Sequence, residues 1–144
     1  MTEARKRLCH NIFTTAIEGG INYWAARTAY HWRKADATDD MDTHDASDIE
    51  GFYADIVEAE DAEEDDDGNL KGKAHRIDLA VIDRGINAAA NLTATFGGKP
   101  LNPKGRLHAI CYALNGPAAD EVDFDANDAD NIVQIGLFND VVYG

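Results

Sequence analysis

Apolar residues recur along this chain at spacings that switch between helical and strand periods. Leu8, Ile12, Phe13, Ala16 and Ile17 stand at helical spacing, and Gly19 and Gly20 follow where a left-handed stop belongs, so the pattern predicts an amphipathic helix over 3–18. From Ile21 to Lys34 one alternating face carries Trp24, Ala26, Thr28, Tyr30 and Trp32, and the other Tyr23, Arg27, His31 and Arg33. That alternation favours a half-buried strand over the rival reading, an Ala-rich helix. Past a polar loop at 35–48, β-favouring Phe52, Tyr53, Ile56 and Val57 predict a second strand over 51–59, antiparallel to the first in a long hairpin. Asp65, Asp66, Asp67, Gly68 and Asn69 signal a turn. A short third strand over 71–77 follows beside the second, its Lys71, Lys73 and Arg76 facing the acids.

The second half of the chain reads as helical. Asp78 suits the cap of a helix over 79–95 bearing Leu79, Ile82, Ile86 and Ala89 on one side, with Gly97 and Gly98 as the stop. After a Gly- and Pro-containing loop, Leu107, Ile110, Cys111 and Leu114 trace a short helical stripe ended by Asn115, Gly116 and Pro117. The acidic segment 118–125 reads as a linker. Ala129, Ile132, Val133, Gly136 and Leu137 then fall at i, i+3, i+4, i+7 and i+8, with Asp125 as cap and Asp128 in the dipole-favoured first turn. The sum is an α+β fold: a small antiparallel sheet, a long hairpin with a third strand, presenting a Trp-rich face to three or four helices. At 144 residues the chain suits one domain over 1–144.

Charge changes this picture by dividing the chain. No Lys or Arg interrupts 35–70, which carries 16 carboxylates, and Asp120, Glu121, Asp123, Asp125, Asp128 and Asp130 form a second acidic block. The two blocks hold 22 of the 27 acids, so a net charge of −14 conceals a mildly cationic remainder. Repulsion inside such segments opposes compaction, and a cationic partner relieves it. The acidic segment over about 35–70 is therefore expected to project as a hairpin or loop from a folded body. The excess of Asp over Glu, with only six Lys, would equally suit a salt-loving host. Cys9 and Cys111 share no spacing motif, which points to a reducing compartment. No stretch approaches 18 continuous apolar residues, so a cytoplasmic protein with no membrane partner is expected.

Candidate chemistry is sparse. Glu63, Asp65 and Asp67 before Gly68 imitate the opening of a calcium loop, but Lys71 and Ala74 occupy its ninth and twelfth positions, where ligands are needed. His108 and Cys111 lie one helical turn apart, but adjacent Cys9 and His10 diverge too far to complete a zinc set. No metal or cofactor is expected. The only serine, Ser47, lies in the acidic loop, and neither cysteine has a catalytic signature. Two binding readings remain. In the first, Glu58, Glu60, Asp61, Glu63, Glu64, Asp65, Asp66 and Asp67 dock on a basic protein surface, with nucleic-acid mimicry as one form of that docking. In the second, Glu18, Gly19, Gly20, Tyr23 and Trp24, together with Lys99, Lys104 and Arg106, bind a small ligand or nucleotide, with hydrolysis as an extension. The acidity argues against direct binding of nucleic acid. A homodimer through exposed strand edges stays open.

The sequence Glu18-Gly19-Gly20 followed by Tyr23-Trp24, and the closing run with Ile132-Val133-Gln134, Gly136-Leu137-Phe138 and Val142-Tyr143-Gly144, resemble small uncharacterised proteins encoded by tailed bacteriophages. The resemblance covers about a third of the chain and leaves the acidic middle unmatched. It transfers no activity. It implies a context in which small accessory proteins act as inhibitors or decoys of host machinery, and so a non-enzymatic interaction protein in the host cytoplasm.

Overall fold

Helix α1 (Glu3–Thr15) starts from Thr2, whose hydroxyl accepts from the Arg5 N–H at 3.1 Å. The computed structural model describes residues 1–31 and 51–144. The expected loop at 35–48, the carboxylates from Asp36 to Glu50, and Trp32, Arg33 and Lys34 lie outside the described residues. The predicted helix over 3–18 gives way at Ala16 to one π-helical turn, Ala16–Gly20, closed by the Ile21 N–H on the Ala16 carbonyl at 3.0 Å. Neither Gly19 nor Gly20 takes the left-handed conformation expected of a stop. Gly20 serves close approach instead: a β-carbon there would lie 2.6 Å from the Ala126 carbonyl oxygen.

Strand β1 (Ala25–His31) begins four residues later than the alternation suggested, because Ile21 to Trp24 form a turn closed by the Trp24 N–H on the Ile21 carbonyl. It pairs antiparallel with β2 (Tyr53–Glu58), as expected. Arg27 pairs with Ile56 and Ala29 with Asp55, so Thr28 is an extra residue in the ladder. This bulge breaks the period-two face on which the Trp-rich side was read. Of that side, Trp24 enters the core from the turn, while Thr28 is exposed.

A small ribbon, β3 (Glu63–Glu64) with β4 (Leu70–Lys71), precedes β5 (Ala74–Asp78). Strand β5 pairs antiparallel with the other side of β2, giving the sheet order β1-β2-β5. Phe13 of α1 packs on this sheet, its ring 4.6 Å from Phe52 and 5.8 Å from Tyr30.

Asp78 caps α2 (Leu79–Ala90) through the Val81 N–H at 3.1 Å. The helix stops five residues before the predicted end. Leu92 takes a left-handed φ of 56° and the Thr93 N–H bonds back to Ala88 at 2.9 Å, a Schellman closure with leucine where glycine is usual. Gly97 and Gly98, at φ 60° and 79°, form the turn between β6 (Thr95–Phe96) and β7 (Lys99–Pro100). Helix α3 (Arg106–Leu114) follows, and a 3₁₀ turn at Ala119–Glu121 occupies the expected linker.

The last helix, α4 (Ala126–Phe138), has the anticipated cap, completed as a box: Asp125 accepts from the Asp128 N–H and Asp128 accepts from the Asp125 N–H, each at 2.9 Å. A final strand, β8 (Asp140–Val141), adds in parallel to β6. The α+β architecture is thus present, with α1, α2, α3 and α4 contributing to one buried cluster with β2 and β5. Cys9 and Cys111 belong to that cluster as free thiols, and burial pushes them up to about 11 and about 12. Among the described residues no helix is long and apolar enough to cross a membrane.

Candidate functional site

The acidic ribbon is ordered by its own side chains. Asp65 Oδ1 accepts from the backbone N–H of Asp67 at 3.0 Å and of Asn69 at 2.9 Å, and Gly68 turns the chain at φ 82°. Gly72 lets the returning strand lie against the 3₁₀ turn Ala59–Asp61, since a β-carbon there would be 3.1 Å from the Asp61 carbonyl oxygen. Glu60, Asp61, Glu63, Glu64, Asp66 and Asp67 are exposed, and Asp65 is half-buried. Lys71 reaches Asp65 and Lys73 reaches Asp61, each at 3.8 Å. Exposed pairs of that length contribute little. Glu60, Glu63, Glu64, Asp66 and Asp67 have no ion-pair partner among the described residues.

Glu58 differs from its neighbours. It is buried, and it accepts hydrogen bonds from the Tyr143 hydroxyl and from His75 Nε2, the latter at 3.0 Å. Burial pushes its carboxyl up, but the His75 and Tyr143 hydrogen bonds and the charges of His75 and Lys73 outweigh that and hold it below the usual glutamate value. Glu58 therefore moors the ribbon and offers nothing to a partner.

The mooring continues inward. The Tyr143 ring stacks on Trp24 with centroids 5.1 Å apart and planes 7° from parallel. Trp24, only 1% exposed, donates from its indole to Asp130 Oδ1 at 2.7 Å, while Tyr23 donates to Asp130 Oδ2 at 2.5 Å. Gln134 Nε2 donates to Asp130 Oδ1 at 2.9 Å and to the Tyr143 carbonyl at 3.0 Å. Its Oε1 accepts the N–H groups of Val142 and Tyr143 at 2.9 and 2.8 Å. One turn of α4 thus clamps the end of the chain and the turn before β1 together. The motifs at the two ends of the sequence meet in this network.

Both oxygens of Asp130 are engaged by these donors, which leaves it poorly placed to move a proton to or from a substrate. Trp24 is packed on both the tyrosine and Phe138, so no ligand ring stacks on it. Glu18 is exposed and accepts from the Tyr30 hydroxyl at 3.2 Å. Gly19 and Gly20 face Ala126, the latter also Asp130. Arg106 is committed to Asp128 by paired bonds of 3.1 and 2.8 Å, whereas Lys99 and Lys104 are exposed. The glycine turn and the Lys99–Arg106 loop thus flank different sides of the start of α4, and no hydrogen bond or ion pair among the described residues joins them.

Asp130, Gln134, His75 and Tyr143 were not anticipated as a group. Asp130 and Gln134, four residues apart beside the apolar stripe of α4, were the available signal: two polar side chains on a buried face call for internal partners. Among the described residues no group of three or more His, Cys, Asp or Glu is placed to hold a metal ion. Asp65 of the calcium-like run spends its carboxylate on its own turn. No family model matches this chain, and neither a curated protein nor a solved structure does.

Proposed function

We propose that this protein is a non-enzymatic docking protein whose acidic ribbon over 59–71 engages a basic surface of a host or viral partner, as an inhibitor or decoy does. The observation that carries this reading is the exposure of Glu60, Glu63, Glu64, Asp66 and Asp67 without cations of their own, on a backbone held by the Asp65 turn and the Glu58 mooring. Like charges held this close repel one another, and a complementary surface removes that cost. Glu63 and Glu64 are neighbours on a strand and so point to opposite faces, which supports a charged knob over a regular phosphate-like ladder.

The test is a combined Glu63→Gln, Glu64→Gln, Asp66→Asn and Asp67→Asn variant, with Asp65 retained because it builds the turn. A partner captured by the wild-type protein at low ionic strength is expected to be lost at moderate ionic strength and to bind the variant at least about tenfold more weakly, because exposed charges beyond the screening length of ~10 Å cease to attract. Capture that ignores salt, or that survives the four substitutions in a variant of unchanged melting temperature, rejects the proposal.

A further inference from the structure

On a chain of net charge −14, the stretch from Arg84 to Ala119 contains not one carboxylate and carries Arg84, Lys99, Lys104 and Arg106. Arg106 is matched by Asp128, and Asp140 accepts from the Gly98 N–H at 3.0 Å, but Lys99 and Lys104 have no ion-pair partner among the described residues and are free to meet an anion. Beside them lies a cleft of about 460 Å³ between the β6–β7 hairpin, α3 and the first turns of α4. That size falls in the range of small-molecule sites.

The walls of the cleft divide by chemistry. Phe96, 49% exposed, and Pro100 supply apolar lining. Asn127 and half-buried Asn131 line the cleft from α4, and neither amide has a hydrogen-bond partner among the described residues. His108 also lines the cleft. Its Nδ1 lies 3.0 Å from the Ala89 carbonyl, an atom that only accepts, so the neutral ring carries its proton on Nδ1 and leaves Nε2 as an acceptor. Arg106 uses Nε and one terminal nitrogen on Asp128, leaving the other terminal nitrogen to donate.

These groups suit one kind of molecule. Primary amides offer a donor and an acceptor side by side, the pattern that reads the edge of a nucleobase. An aromatic face stacks on such a ring, and Lys99 and Lys104, next in the chain to the lining residues Pro100 and Gly105, are lysines of the kind that hold an anionic group as point charges. We propose that this cleft binds a nucleoside monophosphate, with the base between Phe96 and the Asn127 and Asn131 amides and the phosphate toward Lys99 and Lys104.

The test is a titration of the isotope-labelled full chain, followed by amide resonances, with each of the four common nucleoside monophosphates and, separately, with a nucleoside and with inorganic phosphate. At least one monophosphate is expected to give saturable shifts centred on Phe96, His108, Asn127 and Asn131, and to bind at least tenfold more tightly than its nucleoside or phosphate alone. Phe96→Ala and a Lys99→Glu, Lys104→Glu double variant, all at exposed positions, are each expected to weaken it at least tenfold while the melting temperature stays unchanged. Absence of saturable shifts with every monophosphate, shifts centred elsewhere, or equal binding by phosphate and by the Phe96→Ala protein would overturn the assignment.

Discussion

Gly85 and Gly136 each press against the backbone of the other's helix. A β-carbon on Gly85 would stand 2.1 Å from the Ile132 carbonyl oxygen, and one on Gly136 would stand 2.1 Å from the Val81 carbonyl oxygen. Val81 and Ile132 lie four residues before Gly85 and Gly136 respectively, so the contact is reciprocal: each glycine meets the carbonyl one turn before the other. Backbone does not yield as a flexible side chain does, and an added methyl must push the helices apart. Gly136→Ala is therefore expected to cost about 3 kcal/mol or more, well above the gain in helix propensity of about 1 kcal/mol. Chemical denaturation measures it. A neutral or stabilising result would mean that α2 and α4 do not cross at these residues.

The clamp on the end of the chain predicts coupling. Asp130→Ala strands the Trp24 indole N–H and one Gln134 donor away from water, at a cost of about 3 kcal/mol. Gln134→Ala releases Val142 and Tyr143 and also removes a donor from Asp130. A double-mutant cycle over the two positions should give a coupling of about 1 kcal/mol or more, because each substitution removes part of what the other loses. Simple additivity would show that the two side chains act independently.

Alkaline pH should loosen the same region. The hydrogen bond to Glu58, with burial, pushes the Tyr143 hydroxyl up to about 12, and burial with the bond to Asp130 does the same for Tyr23. A folded value above the unfolded 10 means that the neutral hydroxyls stabilise the fold fully below 10 and that this contribution is lost as pH rises toward 12. Unfolding free energy measured over that range should fall, and Tyr143→Phe should make the fall shallower. An identical slope in the variant would contradict the assignment.

Leu92 closes α2 in a conformation that suits glycine. Its side chain is 41% exposed, so little packing is lost on its removal. Leu92→Gly relieves a left-handed cost of about 1–2 kcal/mol and gives back less than that in unfolded-chain entropy, for a net gain of about 0.5–1 kcal/mol. A lower melting temperature would show that the leucine side chain holds the Schellman turn by contacts of its own.

Where local chemistry acts alone, the sequence is a faithful guide. Asp125 and Asp128 announced the start of α4, Asp78 that of α2, and the run Asp65 to Asn69 a turn, because caps and turns are closed by side chains within a few residues. The pairing of β2 with β1 and β5 was likewise legible from short apolar runs separated by turn residues. The stop of α2 was not. Leucine in a left-handed turn violates the usual preference, and the glycine pair that matched the preference belonged to a hairpin. The period-two reading of the first strand failed for a related reason, since a bulge at Thr28 depends on the register of the partner strand.

Composition and spacing thus determined the class of fold, the helix starts and the separation of acidic from cationic segments. Only the folded chain decided which carboxylates face solvent and which are consumed inside. Glu58 and Glu60 are two residues apart in one acidic run, yet the first is sealed under Tyr143 and His75 and the second is exposed. Asp130 looked like one more acid of the second block and proved to be the buried acceptor for Tyr23, Trp24 and Gln134. The reason is physical: a carboxylate enters a core only where several donors converge on it, and the decisive ones come from distant elements, Tyr23 and Trp24 for Asp130 and Tyr143 for Glu58, which no local pattern records.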